Sequence, residues 1–311
     1  MFHAGDVTKI FCDSNDFVFI NTIYSQLTMK LYLDCYPCIL NQTISAIRSL
    51  NISDESQKEI FASALEIIYH ADSEKPPVEL VADVHSVIKH KTGIDDLYKI
   101  QKQSSTKAAL ALYKKAKKTI DQSDDPFETA VRLTIAGNVI DYGINRSFDL
   151  TSEIDRVLEQ PFAINHLDLL RKEINQANTI LYLADNAGET IFDRLLIETI
   201  NKDVLYAVKE FPILNDALEE DAIQAGIDQV AKIISSGVDT PGTVLSRASN
   251  SFLEIFHNAE IIISKGQGNF EALSDQTENI FFLLQSKCAT LSRSIGAPVG
   301  GLIIKSAKIK F

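Results

Sequence analysis

Along residues 38 to 145 the apolar positions recur every three or four residues. ILNQTISAIRSL, SQKEIFASALEIIYHA and PPVELVADVHSVIKHKTG each carry this rhythm, which is that of an amphipathic helix. Pro76 and Pro77 mark the start of the third helix and Gly93 its end. STKAALALYKKAKKTIDQSDD predicts a further helix whose lysines fall on one side, a solvated face. PFETAVRLTIAGNVIDYGIN predicts the last helix of this half. The reading is five or six helices and no strand before about residue 145. Residues 1–28 share none of this: they show no helical period and only one short apolar alternation. MKLYLDCYPC, from Met29, reads as a natural beginning. Residues 1–28 are therefore expected to be an unordered or misassigned extension, with an extra strand as the alternative.

After Thr151 the rhythm changes. TILYLAD, VLYAVK, AKIISSG, EIIISKG and NIFFLLQS are short, nearly continuous apolar runs, and several are separated by the helical patterns ETIFDRLLIETIN, AIQAG and SRASNSFLEIFHNA. Strands apolar on both faces and alternating with helices predict a parallel sheet covered on both sides. VGGLIIKSA adds an expected last strand at the sheet edge. The predicted fold is α/β: a Rossmann-like α/β/α domain over residues 151–311, preceded by an all-helical domain over residues 29–150.

In such a sheet ligands bind outside the carboxyl ends of the strands. The residues there are Asp185-Asn186-Ala187-Gly188-Glu189, Lys209 with Asn215-Asp216, Ser236 to Thr243, Lys265-Gly266-Gln267-Gly268-Asn269, and Ser286-Lys287-Cys288. Carboxylate and amide oxygens suit magnesium or manganese better than zinc. Lysines and glycine-rich backbone at a helix start suit a phosphate. Together they point to phosphoryl chemistry. Each residue also has a structural reading. Asp185 could cap the following helix, Glu189 could serve the helix dipole, and Asn215-Asp216 could be a turn and cap. Asn138 and Asp141, three apart on one face of an apolar helix, suit either a polar pocket or a contact joining the two halves.

Composition narrows the partners. The chain has 311 residues, 45% hydrophobic and 23% charged, with a net charge of -12. That acidity argues against nucleic acid or an anionic membrane as the main partner. No run approaches the length of a membrane span, and no secretion signal is visible. Four cysteines are too few for a disulfide framework, which makes a cytoplasmic location the expectation.

ADNAGE, PILNDA, KGQGNFE and AGNVIDYG, in this arrangement, resemble the damage-control phosphatase family, once called domain of unknown function 89 and also protein-glutamate methyltransferase-like. The opening MKLYLDCYPCILNQ is similar to its bacterial and archaeal branch, which carries a Cys-x-x-Cys. The resemblance runs from Met29 to the C-terminus. It implies a divalent metal (magnesium, manganese, cobalt or nickel) and hydrolysis of small phosphate esters. It places the metal on Asp185, Asn186 and Asp216. It puts phosphate or substrate contact on Lys265 and Asn269, and lines the same pocket with Asn138 and Asp141. Glu189 and Asn215 join the expected substrate-binding residues. Asp185, Asp216 and Lys265 are the expected catalytic residues: a carboxylate takes the proton of an attacking water, and the lysine stabilises phosphoryl charge. An aspartyl-phosphate route is the alternative step. Better-studied relatives carry an aromatic-rich segment where this chain has FPILNDA, so their sugar-phosphate preference is not carried over, and the expected substrates stay sugar phosphates or phosphorylated cofactor-like compounds.

Cys35 and Cys38 have the spacing of a redox pair or of half a metal site, and Cys288 could join them in space. Packing alone is the third reading. Two rival functions remain in view: a carboxyl methyltransferase using S-adenosylmethionine, and a non-catalytic metabolite-binding protein.

Overall fold

The computed structural model describes residues 29–143 and 150–309. The expectation for residues 1–28 lies outside them. Among the described residues five helices come first, as the apolar rhythm predicts: α1 (Cys35–Arg48), α2 (Asp54–Tyr69), α3 (Pro77–Thr92), α4 (Lys99–Asp121) and α5 (Pro126–Gly143). Pro77 opens α3, and Gly93 closes it in the left-handed conformation at φ +70°. Then α6 (Leu150–Glu159) leads into β1 (Phe162–Asn165), α7 (Leu167–Gln176), β2 (Thr179–Leu183), a 3-10 turn (Ala187–Glu189) and α8 (Thr190–Ile200). The chain continues through β3 (Asp203–Val208), α9 (Glu219–Ala225), β4 (Lys232–Ser235), α10 (Asn250–Asn258) and β5 (Ile261–Lys265). It ends with α11 (Gly266–Leu273), β6 (Ile280–Gln285), α12 (Ala289–Ile295) and β7 (Leu302–Ser306).

The seven strands form one sheet in the order β1-β7-β6-β5-β2-β3-β4. All neighbours are parallel except β6 and β7, which run antiparallel. From β2 the chain winds outward through β3 and β4, then returns to lay β5 and β6 on the other side. The order therefore reverses between β2 and β5, and the switch point of this Rossmann-like sheet lies there. One expectation is corrected. β7 is not the edge strand, because β1 pairs with its far side. FAIN is too short, and too mixed in burial, to announce itself as a strand.

Alternation along β2 splits the core in two. Ile180 and Tyr182 face α4, α5, α7 and α8, while Leu181 and Leu183 face α10, α11 and α12. Each such side chain contributes about 1.5–3 kcal/mol when fully buried. The first core draws residues of α4 and α5 together with the sheet, whereas α1, α2 and α3 gather a core of their own. No helix among the described residues is long and apolar enough to cross a membrane.

Candidate active site

The site is built where β2 and β3 end. The chain turns back after β3 and runs antiparallel to the segment that follows β2, with Asn186 bridged to Asp216. Ala217 N donates to Asp185 O at 2.8 Å, and Ala187 N donates to Asn215 O at 2.9 Å. The turn-back requires Leu214 at φ +45°, an uncommon conformation for a residue with a side chain. Leu214 packs on the core of α1, α2 and α3, which holds that backbone in place. Neither Asp185 nor Asp216 acts as a simple cap. Asn186 precedes the 3-10 turn without a side-chain capping bond, and the N-cap of α9 is Leu218, whose N–H is taken by Asp221.

Asp185, Asn186 and Asp216 are each more than nine-tenths buried. Burial first, then the charges of Glu189 and Asp216, push the Asp185 carboxyl well above its usual range. Burial pushes Asp216 up to about 6, against the pull of Lys209 and the Gly242 N–H. Burial lowers Lys209 in turn, and Asp216 and Asp185 only partly offset it. Lys209 Nζ stands 3.6 Å from Asp216 Oδ2, beyond hydrogen-bond distance, and that buried oxygen has no hydrogen-bond partner among the described residues. Asn186 Nδ2 donates to Asp185 Oδ2 at 3.0 Å and to Glu189 Oε1 at 2.5 Å. Its nitrogen is thereby spent on carboxylates, and its carbonyl oxygen is the atom left to offer a cation.

Behind these residues lies a second, fully buried network. Lys265 Nζ donates to Glu189 Oε2 at 2.8 Å and to Asp193 Oδ1 at 3.0 Å. Burial works against its charge, but Asp193 and Glu189 outweigh it and hold its pKa above the ordinary lysine value. Asp193 Oδ1 also accepts from Thr134 Oγ1 and Tyr182 OH, both at 2.7 Å, and Oδ2 accepts from Tyr206 OH at 2.8 Å. Asn269 Nδ2 donates to Ala184 O at 3.0 Å and to Lys265 O at 2.8 Å, while its Oδ1 accepts from Thr243 Oγ1 at 2.8 Å. This amide ties the end of β2 to the end of β5.

The structure thus brings together Asp185, Asn186, Glu189, Asp216, Lys265 and Asn269. Asn215 joins through its backbone carbonyl. The side chains of Asn138 and Asp141 lie outside the described residues, although Gly137 beside them packs on Glu189. Sequence reading missed Asp193, Tyr182 and Tyr206. One signal was available: Asp193 lies one helical turn beyond Glu189, in a run otherwise apolar on that face. Lys287, half-buried after β6, is placed at this edge by the sequence but given no role there, and its charge reaches Asp185.

Fold and site define an α/β/α protein whose acid, amide and lysine residues gather at the sheet's switch point. The chain belongs to the damage-control phosphatase ARMT1-like domain family, whose profile matches residues 31–303. It is 34% identical over 292 residues to damage-control phosphatase PH1575 of Pyrococcus horikoshii, covering 91% of this chain and 100% of that protein. It is 29% identical over 287 residues to a damage-control phosphatase of Archaeoglobus fulgidus, covering 89% and 99%. The crystal structure of the Pyrococcus protein, described as a DUF89 family protein, superposes with a TM-score of 0.82 over 90% of this chain and all of that one.

Proposed function

We propose that this protein is a phosphatase acting on small phosphorylated metabolites with the help of a divalent cation. The observation that carries this reading is the buried Oδ2 of Asp216, which among the described residues has no hydrogen-bond partner and only the Lys209 ammonium at 3.6 Å, beside Asp185 and Asn186. A buried carboxylate oxygen without a hydrogen bond is costly. Two carboxylates and an amide carbonyl form a hard oxygen set, which fits magnesium, manganese, cobalt or nickel better than a soft ion fits. A cation held by Asp185, Asn186 and Asp216 would polarise a phosphoryl oxygen and acidify a water.

The chain's own groups do the rest. Glu189 fixes the Asn186 amide, and Lys265 fixes Glu189, so the oxygens stay aimed without reorganisation. Lys209 and Lys287 supply positive charge for the phosphoryl oxygens. A carboxylate oxygen of Asp185 or Asp216 accepts the proton of the attacking water. The water oxygen bonds to phosphorus as the phosphorus–ester oxygen bond breaks, and the departing oxygen takes the proton that the carboxylate accepted, giving an alcohol and inorganic phosphate. Family membership and the names of the relatives support the same reading.

The test is phosphate release from a panel of sugar phosphates and phosphorylated cofactors, run metal by metal with the unsubstituted chain and with Asp185→Ala. Metal-dependent release that Asp185→Ala abolishes is the expected result. Folded protein that releases no phosphate from any member with any of the four metals would overturn the proposal.

A further inference from the structure

Three cysteines lie near one another where the start of α1 docks beside α11 and α12. Cys35 opens α1 and Cys38 lies three residues on, so both fall on one face of its first turn. Asp34, just before them, accepts from Arg293 Nη2 of α12 at 2.6 Å, which docks the start of α1 beside the start of α12. Cys288 stands at that start, with its Sγ accepting from Leu291 N at 3.4 Å. Gln267 of α11 gathers two members of the cluster: its Nε2 donates to Glu271 Oε1 at 2.7 Å and to Cys288 Sγ at 3.6 Å. Gln267 Oε1 is buried with no hydrogen-bond partner. Cys35 and Cys38 both lie within electrostatic reach of Cys288 and of Glu271.

We propose that Cys35, Cys38 and Cys288, with the carboxylate of Glu271, form a second metal site, one for a soft divalent ion such as zinc. Cys-x-x-Cys is half of a tetrahedral zinc set, and a third thiolate with one carboxylate completes four donors. Thiolates select such an ion, as the Asp185, Asn186 and Asp216 oxygens do not. The neighbouring charges that raise the Cys38 and Cys35 thiols belong to acids, Glu271 and the other cysteines. Ionising this group without a cation brings like charges together, and a cation turns that repulsion into attraction. Among the described residues no three such donors already stand at ligand spacing. Binding therefore requires the side chains to close round the ion. Cys35 is only half-buried at the first position of its helix, and Cys38 is exposed, so both side chains have room to turn toward an ion. Once closed, the site pins α1 to α11, which begins one residue after Lys265, and to α12, which begins two residues after Lys287.

The experiment uses the full reduced chain, stripped of metal and titrated with cobalt(II). Sulfur-to-cobalt charge-transfer absorption in the near ultraviolet reports thiolate ligation, to which the oxygen set of the pocket contributes nothing. We expect the band to saturate at a single cobalt per chain and to be displaced by zinc(II). Cys288→Ser should weaken the band and lower cobalt affinity by roughly tenfold to a hundredfold. Glu271→Gln should lower the affinity while leaving the band. Two outcomes overturn the proposal: no band from folded, reduced protein, or a band that Cys288→Ser leaves unchanged. The first is read on the unsubstituted chain, so it does not depend on whether a variant folds. Neither outcome bears on phosphate release, which is a separate measurement.

Discussion

Gly266 lies against Asp185 so closely that a methyl group on its α-carbon would stand 1.8 Å from Asp185 Oδ2. Gly266 also has φ +80°, which disfavours any residue with a Cβ. The first residue of α11 must therefore be glycine if the first acid of the pocket is to keep its place. Gly266→Ala should lower kcat by about a hundredfold, the usual cost of shifting a reacting group by about an ångström. Stability should fall by about 1–3 kcal/mol from backbone strain. Phosphate release and urea denaturation on the same preparation check both, and wild-type kcat in this variant would contradict the geometry.

Asp193 carries the buried network beneath Lys265, and its two oxygens are not equally supported. Oδ1 has three donors, Thr134, Tyr182 and Lys265, whereas Oδ2 has Tyr206 alone among the described residues. Tyr206→Phe should therefore cost more than Tyr182→Phe, by about 1 kcal/mol within a range of about 1–3 for an unpaired buried group. Asp193→Ala should cost about 3–5 kcal/mol, because it strips Lys265 of one of its two buried counter-charges. Denaturation midpoints rank the three variants, and equal losses for the two tyrosines would remove the distinction.

Much of this architecture can be read in the amino-acid sequence. The strands β2, β3, β5 and β6 are buried on both faces, and that burial is visible as unbroken apolar runs. Their ends could be lined up because a parallel sheet places them on one side. What could not be read is which end-residues face one another. The meeting of Asn186 with Asp216 depends on Leu214 turning the chain at positive φ, and nothing in the letters FPILNDA signals that. Tyr182 and Tyr206 look like core aromatics, which they are. Only their strand register, with Tyr182 directly beside Tyr206, shows two hydroxyls aimed at one acid. β1 was missed because strand identity there comes from pairing with β7, not from local pattern.

Lys102 ties the helical cover to the sheet layer. It is buried on α4 and lies 2.9 Å from Asp96 and 3.0 Å from Asp221 of α9. Asp221 also accepts the Leu218 N–H at the start of α9. Lys102→Met keeps the aliphatic stem but leaves two carboxylates facing each other without their cation. The expected loss is about 3–5 kcal/mol. Adding Asp221→Asn to Lys102→Met should recover part of it, and a double-variant cycle by chemical denaturation measures the coupling.

His85 predicts how the fold responds to acid. It is buried on α3 with Nε2 unpartnered, its ring 5.8 Å from that of Tyr98. Burial, then the charge of Lys89 one turn along, lowers its pKa to about 4 from an ordinary value of 6.5. Below the ordinary value the unfolded chain takes up a proton that the folded chain refuses, so stability rises with pH across this window. The contribution is complete above about pH 6.5 and is lost as pH falls toward about 4, where the folded state also protonates. At about 1.4 kcal/mol per unit the total loss is about 3 kcal/mol. His85→Phe can keep the ring packing against Tyr98 and has no proton to bind. Urea midpoints measured from about pH 7 down to about pH 4 should fall more steeply for the unsubstituted chain than for His85→Phe. Carboxylates elsewhere titrate equally in both proteins, so the difference between the two curves isolates the histidine. Parallel curves would mean that His85 is protonated in the fold, with a partner for its charge that Nε2 does not have among the described residues.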